Sequence, residues 1–121
     1  MNAVVIDPTP LDAIRDLEKA GNDGLLGTIV NLFLTQSTEL CETIRNAASA
    51  GDAVSLREAA HSLKSSSANV GAMQVSALSY DLEVAGREGV LDDAQALSDR
   101  LALAISEANA ALTEIVSSAA A

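Results

Sequence analysis

His61 is the only histidine in the chain, and an imidazole is a capable nucleophile near neutral pH because its neutral form keeps a nitrogen lone pair free. If the segment around it is helical, its neighbours one turn away are Arg57 (i−4), Lys64 (i+3) and Ser65 (i+4). Two cations at that spacing are placed to neutralise a phosphate added to the ring. Further along, Tyr80, Glu83 and Arg87 form a second stripe at helical spacing. No Ser-His-Asp grouping points to hydrolysis, and no Gly-rich phosphate loop points to a nucleotide. A lone His, with Cys41 on the core edge of another helix, gives no metal site. Any phosphate handled by His61 therefore comes from another protein. On spacing alone, an ordinary surface histidine on a polar face is the simpler account of the same residues.

The elements that must position these side chains all read as helices. A start signal lies at Thr9-Pro10-Leu11-Asp12, where Thr9 is the expected cap and Pro10 suits the first helical turn. This short helix is expected to end near Ala20, before Gly21. A second helix, capped by Asn22 or Asp23, runs to about Ala50. Its seam is Leu26, Val30, Phe33, Ser37, Leu40, Ile44 and Ala47, at alternating steps of four and three. Asp52 caps a third, with the stripe Leu56, Ala60, Leu63, Ser67 and Val70, ended by Gly71. A fourth carries Val75, Leu78, Leu82 and Ala85 and stops near Gly89. The fifth starts at Asp92 or Asp93 and turns Leu97, Leu101, Ile105, Ala108, Leu112 and Ile115 inward. His61 lies one residue past core position Ala60, about 100° around the helix, at the solvent edge of the buried stripe.

Short joints place consecutive helices antiparallel. The expected fold is all-α: an up-down four-helix bundle with one additional short N-terminal helix. Residues 1–8 are expected to be a tail or linker, residues 9–117 the bundle, and residues 118–121 a frayed end.

The composition fits that fold and excludes several functions. Hydrophobic residues make up 49% of the 121, but there is one Phe, one Tyr and no Trp, so the core is built from Leu, Ile, Val and Ala. A net charge of −10 argues against nucleic acid and against anionic membranes. It favours a monomer through self-repulsion. No apolar run reaches the roughly 20 residues that span a bilayer. The single Cys41 forms no internal disulfide and reads as a small core residue, so a reducing cytoplasm is the expected location.

The run Ala60-His61-Ser62-Leu63-Lys64-Ser65-Ser66-Ser67-Ala68-Asn69-Val70-Gly71-Ala72 resembles the signature of the histidine phosphotransfer (HPt) family. That signature reads Ala-His-x-Leu-Lys-Gly-Ser-(Ser/Ala), a few residues, then Gly. The similarity extends over about residues 10–115. Phe33 in Leu32-Phe33-Leu34 is similar to the family's aromatic on the second helix, and Leu82-Glu83 to a Leu-Glu pair on the fourth.

The resemblance implies a phosphoryl carrier that is not an enzyme, with no ATP-binding or kinase site of its own. His61 would accept a phosphoryl group from a receiver-domain aspartate and pass it to another receiver aspartate. Lys64 would neutralise phosphate charge, with Arg57, Ser65, Arg87 and Glu83 in support. Glu83, being acidic, would be a poor phosphate helper unless it orients the imidazole or pairs with Arg87. No cofactor of its own is implied, and Mg²⁺ would sit in the partner receiver. The partners would be response-regulator receivers, whether the chain is free-standing or the cytoplasmic end of a membrane-bound hybrid kinase. One departure stands out: Ser65 replaces the family's usual Gly, which lets a partner backbone approach the histidine. Two rival readings remain at this stage. One is a dimerisation-phosphoacceptor domain of a histidine kinase; the other is a non-catalytic helical adaptor in which His61 is ordinary.

Overall fold

The computed structural model describes residues 5–21 and 23–120, the side chains of 119 and 120 excepted. Its helices are α1 (Pro8–Lys19), α2 (Leu25–Ala50), α3 (Ala53–Asn69), α4 (Met73–Glu88) and α5 (Ala94–Ala120). No strand occurs among the described residues. α3 packs on α2 and α4, α5 closes the ring between α4 and α2, and α1 lies on α2. This is the expected four-helix bundle with one added helix.

The predicted seams bury as a consequence of their spacing. Leu56, Ala60, Leu63 and Ser67 of α3 and Val70 just after it are all buried, as are Val75, Leu78 and Leu82 of α4. Each fully buried Leu or Val contributes roughly 1.5–3 kcal/mol relative to exposure. On α2 the inward position is Cys41, and Leu40 is only partly buried. Burial pushes the Cys41 thiol up, against a smaller opposing effect of Arg45. The polar members of the seams are satisfied locally: Ser67 Oγ donates to the Leu63 carbonyl at 2.6 Å and Ser79 Oγ to that of Val75 at 2.7 Å.

The joints match the sequence signals with three corrections. Asp52 caps α3 as expected: its carboxylate accepts from Ser55 N at 3.1 Å and from Ser55 Oγ at 2.7 Å. Gly51 and Gly89 close α2 and α4 in the left-handed conformation. At α1, however, the cap is Asp7 rather than Thr9. Asp7 Oδ1 accepts from Thr9 N at 3.0 Å, and Pro8, which has no N–H to satisfy, takes the first helical position. At α2 the cap position is Gly24, with no side-chain bond, rather than Asp23; the other candidate, Asn22, lies outside the described residues. Gly24 has φ +76, and the helix begins once the chain has passed that left-handed turn.

The third correction concerns the expected tail. Residues 1–4 lie outside the described residues, but Ile6 is buried in the core and Asp7 N donates to the Gly71 carbonyl at 2.8 Å. The segment before α1 is thus seated on the α3–α4 turn. A Cβ on Gly71, which has φ +80, would collide with the Asp7 backbone carbonyl. At the other end, α5 runs on through Ala120 and is already helical where fraying was expected.

α3 and α4 share the most extensive contact in the bundle, and Gly86 of α4 lies against the backbone of α3. A Cβ there would stand 2.8 Å from the Ala53 carbonyl oxygen, 2.8 Å from Arg57 N and 2.9 Å from Arg57 Cβ. Two of these atoms are backbone and cannot swing away. Gly86→Ala should therefore destabilise the protein by about 1–3 kcal/mol despite alanine's better helix propensity. Urea denaturation measures this. A variant as stable as the wild type would show that the two helices can separate freely.

Candidate phosphotransfer site

α3 carries His61 and Lys64 on the edge that faces α4, and α4 carries Glu83 opposite them. The His61 side chain is 62% exposed, as its place beside Ala60 requires. The Glu83 side chain is only 12% exposed and reaches both partners from below. Its Oε2 lies 2.8 Å from His61 Nδ1, and its Oε1 lies 2.6 Å from Lys64 Nζ. The second contact is an ion pair, so Oε1 is satisfied by the Lys64 ammonium. The Lys64 ammonium also sits 5.5 Å from the centroid of the Tyr80 ring, within cation–π range. Ser76 Oγ donates to the Lys64 carbonyl at 3.0 Å and ties the two helices together at the same level.

The protonation states follow from these contacts. The Lys64 ammonium, and after it the hydrogen bond with His61, holds the Glu83 carboxyl below its ordinary range, against the opposing effect of burial. An ionised carboxylate only accepts hydrogen bonds. Nδ1 of His61 must therefore be the protonated nitrogen, and the lone pair of the neutral ring is on Nε2. That nitrogen has no hydrogen-bond partner among the described residues. The result is an exposed imidazole with one fixed tautomer and a free nucleophilic nitrogen.

The other predicted residues fall into place differently. Arg57, Ser65 and Arg87 are exposed near His61, but among the described residues none of them pairs with Glu83. Glu83 takes the orienting role rather than pairing with Arg87, because His61 and Lys64 already occupy both its oxygens. Ser65 lies one turn beyond His61 on the outer face, where a partner must approach. Sequence reasoning missed Tyr80 as a support for Lys64 and gave Gly86 no role. A signal was present for Tyr80, which shares its stripe with Glu83. Among the described residues no group of three or more His, Cys, Asp or Glu is arranged to hold a metal. No helix among them is long and apolar enough to cross a membrane.

A helical bundle that presents one exposed, carboxylate-oriented histidine beside a lysine defines a histidine phosphotransfer module. Comparison with known families bears this out: the model of the Hpt domain matches residues 28–111, and the chain belongs to that family. Its structure is similar to that of histidine-containing phosphotransfer protein B (HptB) from Pseudomonas aeruginosa, with 26% sequence identity and a TM-score of 0.81. The match covers 93% of this chain and 95% of that one. No curated protein matches the sequence. The function is histidine phosphotransfer in phosphorelay signalling, where Hpt domains act with receiver domains as phosphocarriers rather than kinases.

Because Glu83 has a folded-state pKa below its unfolded value, its pairing stabilises the protein at pH above the ordinary glutamate range. That stabilisation is lost as pH falls through the depressed folded value. Glu83→Gln should therefore melt lower than wild type at neutral pH and converge with it in acid. The same carboxylate sets the tautomer. Nitrogen-15 NMR at about pH 8 should find the His61 Nδ1–H form dominant in the wild type and a mixture in Glu83→Ala. An Nε2–H majority in the wild type would refute the assignment.

Proposed function

We propose that His61 is the phosphoryl acceptor of this phosphotransfer domain and that Nε2 is the attacking atom. The observation that carries the reading is the Nδ1 to Glu83 hydrogen bond, which leaves Nε2 unprotonated on the exposed side of the ring. A phospho-aspartyl receiver docks over α3. The Nε2 lone pair forms the N–P bond as the acyl-phosphate O–P bond breaks, and the aspartate leaves as a carboxylate. The ring, still protonated on Nδ1, becomes positive, and the Glu83 carboxylate beside it offsets that charge. Lys64 has three donors and spends one direction on Glu83, so others remain for the phosphoryl oxygens. The receiver is expected to supply the Mg²⁺. A second receiver removes the group by the reverse path.

The acidic surface supports a monomeric carrier, and the lack of a membrane-crossing helix among the described residues is compatible with work in the cytoplasm. Ser65 stands where glycine is usual and acts as a spacer on the docking face rather than as a phosphate ligand.

His61→Gln should abolish acid-labile labelling by a phospho-receiver. Its stability should stay within about 0.5 kcal/mol of wild type, because the side chain is exposed. Labelling that survives in this variant would remove His61 from the mechanism. Lys64→Ala should slow transfer by about tenfold or more, since a charge-assisted contact to phosphate is worth roughly 1.5–3 kcal/mol. Stopped-flow transfer at physiological salt measures it, and unchanged kinetics would make Lys64 a partner of Glu83 alone.

A further inference from the structure

The chain has one Tyr, and it stands half-exposed beside the site lysine rather than in the core. Ser76, Tyr80 and Glu83 recur on α4 at steps of four and three, so they share one face of that helix. All three meet Lys64. Ser76 Oγ donates to its carbonyl at 3.0 Å, and Glu83 Oε1 lies 2.6 Å from its ammonium. The centroid of the Tyr80 ring lies 5.5 Å from the same ammonium, so this contact is made by the ring. One stripe of α4 therefore holds Lys64 both at its backbone and at its charged head.

Fold stability gives little reason for an aromatic at this position. Tyr80 is 50% exposed, and the core face of α4 is filled by Val75, Leu78 and Leu82. Tyr is also a weaker helix former than Leu, Lys or Glu. Control of Lys64 does give a reason. Lysine carries its charge on a flexible four-carbon stem, and a cation that must meet a phosphoryl group works best when it is already in place. Glu83 restrains the ammonium, but it is itself an anion and would compete with a phosphoryl group for it. The face of an aromatic ring attracts an ammonium without carrying a net charge. It can keep Lys64 at the α3–α4 edge while the N–H donors turn from the carboxylate to the phosphoryl oxygens.

We propose that Tyr80 is a positioning residue for phosphoryl transfer, its ring face holding the Lys64 ammonium beside His61 before and after the group arrives. This rests on the reading of His61 as the phosphoryl acceptor. Tyr80 acts only through Lys64, and the bond exchange takes place on Nε2 of His61.

The test labels the full chain with phosphoramidate, a donor too small to dock on a protein surface. The Nε2–P bond forms as the P–N bond of the donor breaks and ammonia leaves. Phosphohistidine is followed by phosphorus-31 NMR. Tyr80→Leu should slow labelling by about threefold or more, whereas Tyr80→Phe, which keeps the ring face, should stay within about twofold of wild type. In a Lys64→Ala background the Tyr80→Leu change should have no further effect. Proton NMR gives a second readout: the Lys64 ε-methylene should show an upfield ring-current shift in the wild type and in Tyr80→Phe, and lose it in Tyr80→Leu. A Tyr80→Leu loss equally large with and without Lys64 would place the ring's effect elsewhere and overturn the proposal. So would a Tyr80→Phe variant as slow as Tyr80→Leu, a Tyr80→Leu variant as fast as wild type, or a wild-type Lys64 with no ring-current shift. Labelling that His61→Gln does not abolish would fault the acceptor reading instead, and the ring-current shift would still report whether Tyr80 holds Lys64.

Discussion

The backbones of α3 and α4 lie against each other at Gly86, and the site depends on that contact. A side chain at this position would meet the backbone of Ala53 and Arg57 and hold the helices apart. Glu83, one turn earlier on α4, would then be lifted away from His61 and Lys64. A hydrogen bond of 2.8 Å and an ion pair of 2.6 Å leave little slack for such a shift. The turn at Val70–Ala72 and the Ser76 to Lys64 bond fix the other end of the same helix pair. The segment before α1 closes over that turn through Ile6 and Asp7. The pair is therefore held at both ends, with the histidine between them.

Within that frame one carboxylate does three things. Glu83 sets the tautomer of His61, holds Lys64 at the site and stands where it would offset a positive charge on the ring. It can do so because it is nearly buried, where its interactions are less screened, yet paired with a cation that keeps it ionised. The arrangement prepares the nucleophile before any partner arrives.

The chain holds 17 acidic residues against seven Lys and Arg, and a net charge of −10 makes like copies repel one another. Screening limits that repulsion to about 10 Å, so the pairing of Lys64 with Glu83 at the site is governed by their direct contact.

The sequence by itself determined the helices, their seams and the exposure of His61. Each of these depends on periodicity within one segment: Ala60 and Leu63 point inward at helical spacing, so His61 and Lys64 must flank the stripe. Local caps such as Asp52 and Gly51 were legible for the same reason. The tertiary structure decided what one helix brings to another. Glu83 looked unsuited to a phosphate site because its sequence neighbours give no hint that it lies beneath His61. Asp7 and Ile6 looked like a tail because their partners, Gly71 and the core, are more than sixty residues away or contributed by several helices at once. A helical period tells which side of a helix is apolar, but it does not tell which residue of the next helix stands opposite. That register is set by the backbone contact at Gly86 and by the α3–α4 turn, and only in the packed bundle do these place a carboxylate under the imidazole.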